Sequence, residues 1–289
     1  MGLPIALRLT AAGHRVTGDD AAASALARWP QAMRASTASG NADTPAASPA
    51  SANPDSSLPC AVPSTRQRAA ASPEVVIVCV SDEMAARAVI EAHSGRWTTG
   101  VLVIDHTTTS AAWAREAHAQ LADRGVVYCD APLSGGVHSA ERGELVAMLG
   151  ADADALEAVR DILAAYTSDV LHLGGPGAGQ ICKMVNQIAI AGIAAGLEAA
   201  RELALTHGLA LPQVFAALSL GSAHSVQLER LREQLSDIRT APRSLFGWLG
   251  TDFDLHESAT PIDEPTANAL IALYRQHVVP LAGTRPVST

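Results

Sequence analysis

The chain has 289 residues, of which 48% are apolar and 17% are charged, and its formal net charge is −9 at pH 7. This length and composition are typical of a globular protein with two domains. The negative charge, without a cluster of Lys or Arg, argues against a nucleic-acid-binding surface.

Neither membrane insertion nor secretion is expected. The longest apolar stretch, residues 188–197, is shorter than the roughly 20 residues that a helix needs to cross a bilayer. The opening "MGLPIALRLTAAGHRV" lacks the basic leader and the cleavage site of a signal peptide. The cysteines have no spacing typical of a metal site or a disulfide framework: Cys60, Cys79, Cys129 and Cys182. We therefore predict a cytoplasmic protein without a bound metal.

The first 72 residues contain few signals of regular structure. A short helical opening leads into a strand-like stretch, "HRVTG", at residues 14–18. Residues 36–72 are rich in Ala, Ser and Pro and contain almost no large apolar side chains. Such a composition cannot bury enough surface to offset the entropy of ordering the chain, so a disordered insertion is predicted here.

Strands and helices alternate after the insertion. The predicted strands are short apolar runs at residues 75–80, 101–105, 127–132, 145–150 and 170–174. The predicted helices between them cover residues 83–92, 111–125 and 153–166. Strands separated by helices of this length indicate a parallel sheet with helices on both faces.

The strand signal ends near Gly177. A long apolar helix is predicted from about residue 179 to residue 208, and shorter helices follow at residues 211–219, 223–236 and 264–276. The sequence thus predicts an α/β domain over residues 1–175 and an all-helical domain over residues 176–289. The apolar surface of the long helix also suggests burial against a partner subunit, in a homodimer or homotetramer.

Lys183 is the only lysine, and the other 19 of the 20 Lys and Arg residues are arginines. Arginine does not give up its proton in a protein, whereas the pKa of a lysine falls when its amine is desolvated. A position that must transfer a proton therefore cannot use the arginine that serves as the cation everywhere else. Lys183 is a candidate for proton transfer, although a chain depleted of lysine must also keep its last one somewhere by chance.

Two neighbouring patterns suit the binding of a small anion. On a helix, Lys183, Asn186 and Gln187 stand at positions i, i+3 and i+4 and share one face. Residues 134–136, Ser-Gly-Gly, follow a strand end, where open α/β sheets bind their ligands. There the backbone N–H groups and one hydroxyl can hold a carboxylate.

Three stretches resemble the β-hydroxyacid dehydrogenase family, whose members include 3-hydroxyisobutyrate dehydrogenases and tartronate-semialdehyde reductases. Residues 130–150, "DAPLSGGVHSAERGELVAMLG", resemble its substrate-binding signature, and residues 177–187, "GAGQICKMVNQ", resemble its catalytic signature. Residues 1–16 resemble the end of its dinucleotide fingerprint. The resemblance implies a Rossmann-like N-terminal domain, an all-α C-terminal domain and NAD(P)-dependent conversion of a short 3-hydroxy acid.

The resemblance also implies roles for single residues. Lys183 lies at the catalytic lysine position and would be the proton donor and acceptor. The implied substrate-binding residues are Ser134, Gly135, Gly136 and Asn186. The implied cofactor-binding residues are Gly2, Asp19, Thr108, Thr251 and Asp252.

Asp19 favours NAD over NADP as the cofactor. An acidic residue after the second strand of such a fold hydrogen-bonds the adenine-ribose hydroxyl groups, whereas a 2′-phosphate would require an arginine there. Asp20 adds a second negative charge at the same place. Both aspartates can also be read as the N-terminal cap of the next helix.

Departures from the family pattern keep alternatives open. The chain starts at the final glycine of the G-x-G-x-x-G pattern, so the first strand of the Rossmann-like domain is expected to be absent. Thr251 precedes Asp252 where members of the family carry Lys-Asp. A non-catalytic relative that serves as a binding or oligomerisation module is therefore an alternative. An imine reductase of the same superfamily is another, although such enzymes usually replace the lysine.

Overall fold

A computed structural model describes residues 1–20, 27–30 and 73–237 of the chain. Its contacts divide the chain into two compact units, Met1–Lys183 and Met184–Thr289. The predicted insertion at residues 36–72, the predicted helix at residues 264–276, Thr251 and Asp252 lie outside the described residues.

The first unit contains a sheet and the helices that cover it. The strands are β1 (Val75–Val78), β2 (Leu102–Asp105), β3 (Val127–Asp130), β4 (Leu133–Ser134), β5 (Leu145–Gly150) and β6 (Thr167–Gly174). The helices are α1 (Gly2–Ala11), α2 (Glu83–His93), α3 (Ala111–Ala122), α4 (Gly136–Arg142) and α5 (Leu156–Leu163), with 3₁₀ turns at Ser94–Arg96 and Ala153–Ala155. Helix α6 (Ala178–Thr206) starts in this unit and continues into the second. The predicted strands and helices between residues 75 and 174 are confirmed, with ends that differ by up to three residues.

The sheet is mixed, whereas a parallel sheet was predicted. Strands β1, β2 and β3 lie side by side and parallel, as expected. Strand β5 instead runs antiparallel to β3 and β4, and parallel to β6. Only the ten residues 135–144 separate β4 from β5, and a parallel crossover needs a dozen or more. The prediction is therefore wrong at β5, because the short connection through α4 reverses the chain.

Residues 14–18 also differ from the prediction. Within this described stretch only Gly18 forms a bridge, instead of a strand of five residues. His14, Arg15 and Thr17 are exposed, whereas Val16 is half-buried and packs against the apolar cluster that contains Ile104, and Gly18 is buried. From this stretch only Val16 contributes an apolar side chain to the core, which gives the chain little to hold a strand of five residues in the sheet.

The sheet buries different side chains on its two faces, because side chains alternate along a strand. In β2, Ile104 packs in a cluster with Ile5 of α1, and this cluster also includes side chains of α5. Val103 points to the other face and packs with Ile90 of α2 and Trp113 of α3. Each of these five side chains is at most 2% exposed. Helices therefore cover both faces, as predicted, and hold the ends of β2 and β3 in place.

The second unit is described by its residues 184–237, which are helical and contain no strand. Helix α6 is followed by α7 (Leu211–Leu220) and α8 (Val226–Ser236). Phe215, Leu228 and Leu235 are fully buried in one apolar cluster. The helices predicted at residues 211–219 and 223–236 are thus confirmed.

Among the described helices, none combines the length and the apolar character needed to cross a membrane. The described residues likewise contain no group of three or more His, Cys, Asp or Glu side chains placed to hold a metal ion.

Candidate functional site

The candidate site forms where β2 and β3 end. Both strands finish with a fully buried aspartate, Asp105 and Asp130, and these two residues are direct partners in the register of the sheet. The chain continues from β2 into residues 106–110 and from β3 into residues 131–136. Open α/β sheets bind ligands beyond the carboxyl ends of their strands, so a substrate is expected at this edge.

Lys183 reaches this edge from the second turn of α6. Its Nζ donates a hydrogen bond to the carbonyl oxygen of Leu133 over 2.9 Å. Leu133 immediately precedes residues 134–136, which are predicted from the sequence to bind the carboxylate of the substrate. The lysine is half-buried. The structure therefore brings the candidate proton-transfer amine to the candidate anion-binding loop.

Gly135 determines the shape of that loop. Its φ is 128°, a backbone conformation that residues with side chains rarely adopt. A Cβ at this position would also lie 2.7 Å from the Cβ of Ser139. Gly135 directly precedes α4, and Gly136 begins that helix and is exposed. The turn thus bends sharply between the half-buried Ser134 and the exposed start of α4, where backbone N–H groups can meet an anion.

Asp130 is a residue of this site that the sequence analysis missed. Its carboxylate accepts hydrogen bonds from the backbone N–H groups of Gly177 at 2.7 Å and of Gln180 at 2.9 Å. The first N–H groups of a helix have no partner within the helix, and a negative charge there interacts favourably with the helix dipole. Asp130 therefore fixes the start of the helix that carries Lys183. The signal in the sequence was an aspartate at the end of an apolar strand, which is costly to bury unless it is bonded.

The contact between Asp130 and α6 is close-packed. A Cβ at Gly179 would lie 2.8 Å from Oδ2 of Asp130 and even closer to the carbonyl oxygen of Met148. Burial raises the pKa of Asp130 to about 6, although the N–H groups of Gly177 and Gln180 favour the charged form. At pH 7 this group is therefore mostly a carboxylate, as its role as an acceptor requires.

Gln180 connects the start of α6 to the loop that follows β2. Its Nε2 donates to the carbonyl oxygen of Thr107 at 2.8 Å, and its Oε1 accepts from the N–H of Thr109 at 3.0 Å. All three residues are buried. Thr108, between the two contacts, is half-buried and is the most accessible residue from 101 to 110. This accessibility is compatible with the predicted contact between Thr108 and the nicotinamide.

Asp105 and His106, at the end of β2, are bonded within the protein. Asp105 accepts from the N–H of Thr107 at 2.9 Å and from the hydroxyl of Tyr128 at 3.2 Å, and burial raises its pKa to about 6. His106 bonds through its two ring nitrogens to a backbone carbonyl at 2.6 Å and to the hydroxyl of Tyr166 at 2.9 Å. Burial lowers the pKa of His106 to about 4. The ring is therefore neutral at pH 7 and serves the structure of the strand end.

Gly2 and Asp19 lie on the N-terminal segment of the first unit. Gly2 is buried and is the first residue of α1, whose start at Met1 has no side-chain cap. Backbone N–H groups at such a start can bind a phosphate. Asp19 is half-buried, and its Oδ1 accepts the N–H of Asp20 at 2.9 Å. Their binding of a cofactor stays a prediction.

Asn186 belongs to the second unit. Its Nδ2 donates to Oε1 of the neighbouring Gln187 at 3.3 Å, and Gln187 is fully buried. The predicted contact between Asn186 and a substrate stays a prediction. The same holds for Thr251 and Asp252, which lie outside the described residues.

A separate depression of about 410 Å³ lies on the surface of the first unit. It contains none of the residues that the sequence assigns to substrate or cofactor. Its lining consists of Arg115, His118, Gly175, Pro176, Ala178 and Ile181.

Comparison with known proteins places the first unit in a described domain family. The model of the NAD-binding domain of 6-phosphogluconate dehydrogenase matches residues 1–174. An uncharacterized oxidoreductase of Shewanella frigidimarina is 33% identical over 232 residues, which are 79% of this chain and 71% of that protein.

Two relatives carry names that specify a reaction. The NAD-dependent L-serine dehydrogenase of Pseudomonas aeruginosa is 38% identical over 110 residues, 38% of this chain and 37% of that protein. A probable 3-hydroxyisobutyrate dehydrogenase of Mycobacterium tuberculosis is 32% identical over 218 residues, 74% of this chain and 64% of that protein. The chain thus matches less than two thirds of the length of either of these relatives.

Solved structures show the same fold. The 3-hydroxyisobutyrate dehydrogenase of Mycobacterium tuberculosis, solved with L-serine, superposes with a TM-score of 0.70 at 24% identity, over 95% of this chain and 89% of that one. The enzyme of the same name from Salmonella typhimurium gives 0.69 at 22% identity, with the same coverage. The predicted fold class, a Rossmann-like α/β region followed by a helical region, is confirmed.

Proposed function

The chain belongs to the β-hydroxyacid dehydrogenase family and contains an NAD(P)-binding domain, and from this premise we propose that it interconverts a short 3-hydroxy acid and the corresponding semialdehyde or keto acid. The single observation that carries the proposal is the 2.9 Å hydrogen bond between Nζ of Lys183 and the carbonyl oxygen of Leu133. This bond holds the only amine side chain of the protein beside a loop suited to a carboxylate. A hydroxy acid presents a carboxylate and a hydroxyl a few bonds apart, which matches these two groups.

In this proposal Lys183 accepts and donates the proton that the reaction transfers. A nicotinamide cofactor, held by the start of α1 and by Thr108, would supply the hydride acceptor for oxidation of the carbinol carbon. The proton of the substrate hydroxyl passes to the neutral amine of Lys183, and in the reverse direction the ammonium returns it to the carbonyl oxygen. The hydrogen bond to Leu133 orients the amine while it waits for the substrate, and proton transfer of this kind contributes on the order of 10²–10⁴-fold to the rate.

Residues 134–136 bind the acid group of the substrate in this proposal. The hydroxyl of Ser134 and the backbone N–H groups of Gly135 and Gly136 supply donors for a carboxylate. Asn186 adds a hydrogen bond to the substrate and helps to fix its pose. L-Serine and 3-hydroxyisobutyrate, which appear in the names of relatives, are the first substrates to test.

The residues of the first unit suit NAD as the cofactor. The start of α1 at Gly2 has backbone N–H groups and no side-chain cap, which suits a pyrophosphate. Asp19 would bind the adenine-ribose hydroxyls and disfavour a 2′-phosphate, so NAD is preferred over NADP. Thr108, at the end of β2, would contact the nicotinamide, and Thr251 and Asp252 complete the proposed cofactor set.

The proposal is tested with Lys183→Arg. We expect this variant to bind NADH in a fluorescence titration and to keep the circular dichroism spectrum of the wild type. Its kcat for oxidation of the hydroxy acid should fall about 10²–10⁴-fold, because arginine retains the charge and cannot accept a proton. Arg142→Lys is the matched control, since Arg142 is an exposed cation that pairs with Glu144.

The outcomes separate the alternatives. Normal turnover by Lys183→Arg would remove Lys183 from proton transfer. A wild-type protein that binds neither NAD(H) nor NADP(H) would instead favour the non-catalytic relative. Reduction of imines without oxidation of hydroxy acids would favour the imine reductase.

A cytoplasmic location and a homodimeric or homotetrameric assembly remain part of the proposal. Size-exclusion chromatography with light scattering measures the molar mass of the assembly directly. A monomer at all concentrations would contradict it.

A further inference from the structure

Helix α6 needs an external partner at its start. The first backbone N–H groups of a helix have no acceptor within the helix. Here the acceptor is Asp130, which bonds to the N–H groups of Gly177 and Gln180 although it lies 47 and 50 residues earlier in the chain. The start of α6 is thereby attached to the end of β3, while the N–H of Ala178 bonds to the carbonyl oxygen of Gly175 in the preceding loop.

The chain segment of residues 130–133 holds α6 at a second point. Three residues after Asp130, the carbonyl oxygen of Leu133 accepts the hydrogen bond from Nζ of Lys183. Gln180 and Lys183 are three residues apart on α6, about 4.5 Å along its axis. A shift of the helix start relative to Asp130 therefore moves the amine of Lys183 relative to the loop that follows Leu133.

Gln180 also attaches the start of α6 to the loop that follows β2. Its backbone N–H is bound to Asp130, and its side chain bridges the carbonyl of Thr107 and the N–H of Thr109. The loop with Thr108 is thus held to the same turn of α6 as the end of β3. One turn of helix connects the two loops that would flank the reacting atoms.

From this geometry, and resting on the function proposed above, we propose that Asp130 and Gln180 form a buried clamp that positions Lys183 and the Thr108 loop for the reaction. Asp130 is the positioning residue for the amine of Lys183. Gln180 is the positioning residue for the Thr108 loop. Neither touches the substrate.

The clamp requires a carboxylate at position 130. Oδ1 and Oδ2 each accept one N–H group, from Gly177 and Gln180 respectively. An asparagine has one acceptor oxygen, and its NH₂ group would face an N–H donor without any hydrogen bond between them. The close packing around Gly179 gives the amide no room to turn away. Asp130→Asn should therefore displace the start of α6 while changing the size of the side chain very little.

Asp105→Asn is the matched control for this variant. Asp105 is the register partner of Asp130 on β2 and is equally buried. Its carboxylate bonds to Thr107 and Tyr128, and not to the N–H groups at the start of α6. An effect of Asp130→Asn that comes only from a lost buried charge should appear in both variants.

The first measurement is kinetic. Asp130→Asn should lower kcat about 10- to 100-fold, because displacement of a catalytic group by about 1 Å costs up to about 10²-fold. Its KM for the hydroxy acid should stay within about threefold of the wild type, because residues 134–136 are unchanged. Its Kd for NADH should rise by no more than that of Gln180→Met, because Gln180 moves with the start of α6 but keeps its bonds to the Thr108 loop. Asp105→Asn should keep kcat within about twofold.

The second measurement does not depend on activity. Lys183 is the only lysine, so lysine labelled with carbon-13 at the ε position gives a single side-chain NMR signal for the whole chain. Asp130→Asn should move this signal toward that of a solvated lysine, and Asp105→Asn should leave it in place. If the wild type shows no turnover, the proposed function has failed and the NMR signal still decides the role of Asp130.

Gln180→Met tests the other half of the clamp. Methionine is similar in length and cannot bond to Thr107 and Thr109, while the backbone N–H at position 180 still reaches Asp130. The Lys183 signal should stay unchanged, and the Kd for NADH should rise several-fold because the Thr108 loop is released.

The proposal is overturned if Asp130→Asn leaves both kcat and the Lys183 signal unchanged, or if Asp105→Asn changes both equally. Unchanged NADH binding by Gln180→Met would overturn the role of Gln180. Should Asp130→Asn not fold, Asp130→Ser is measured in the same way, since serine is smaller and retains one acceptor.

Discussion

Replacing Asp105 with asparagine should stabilise the protein more at pH 8 than at pH 4. Asp105 is fully buried, and burial raises its pKa from 3.8 to about 6. Its negative charge therefore opposes folding at any pH above about 6. An asparagine is neutral and has nearly the same shape. Its oxygen can accept the N–H of Thr107, and its NH₂ can donate to the hydroxyl oxygen of Tyr128, although the buried hydroxyl proton of Tyr128 then loses its acceptor and offsets part of the gain.

The size of the effect follows from the difference in pKa. Asp105 binds its proton more tightly in the folded than in the unfolded chain, so its contribution to stability falls as the pH rises from about 4 to about 6 and stays low above that. A difference of about 2 pKa units corresponds to about 3 kcal/mol. The free energy of unfolding of Asp105→Asn, relative to that of the wild type, should therefore rise by about 2–3 kcal/mol from pH 4 to pH 8.

Urea unfolding at pH 4, 6 and 8, followed by circular dichroism, measures this difference. The comparison with the wild type is essential because His106 and Asp130 titrate in the same range. Burial lowers the pKa of His106 to about 4, so acid destabilises the fold through His106, while Asp130 behaves like Asp105. His106 and Asp130 are present in both the wild type and the variant, so their contributions to the pH dependence of stability largely cancel when the two proteins are compared. A difference that does not change between pH 4 and pH 8 would refute the reasoning, and so would an asparagine variant that is less stable at pH 8.

Two further predictions concern the loop and the cofactor. Gly135→Ala should lower the free energy of unfolding by about 1–3 kcal/mol and raise KM for the hydroxy acid, because φ is 128° and the new methyl group meets Ser139. Gly136→Ala also has a positive φ, 75°, and should cost about 1–2 kcal/mol, but its Cβ meets no atom within 4 Å. A loss in thermal unfolding larger than that of Gly135→Ala would contradict this account. Asp19→Arg should raise the affinity for NADP relative to NAD, since a guanidinium can pair with the 2′-phosphate. An unchanged ratio of the two Kd values in fluorescence titrations would place Asp19 outside the cofactor site.

Local patterns in the sequence predicted most of the elements. Apolar runs such as residues 75–78 and 102–105 are strands, and the helices between them begin and end within about three residues of the prediction. Such patterns work because the alternation of buried and exposed side chains is a property of the element itself. The failures are at residues 14–18, where only Val16 places an apolar side chain against the core, and at α4 and β4, which are too short to show a period.

The direction of β5 required information that no single stretch contains. Its apolar run is as clear as those of β2 and β3. Whether a strand lies parallel or antiparallel depends on the length and path of the connection before it, and α4 was not predicted. The short helix Gly136–Arg142 turns the chain back, and β5 pairs antiparallel with β4 through Leu133 and Ala147.

The amino-acid sequence by itself determined the kinds of elements, the resemblance to a family, and the candidacy of Lys183 and of residues 134–136. Only the tertiary structure decided that the amine of Lys183 meets the carbonyl of Leu133, 50 residues earlier, and that Asp130 holds the start of α6. The physical reason is the distance along the chain over which each interaction acts. Periodicity, glycine and charge act within a few residues, whereas a hydrogen bond between distant residues exists only once the sheet has brought β3 alongside the start of the helix.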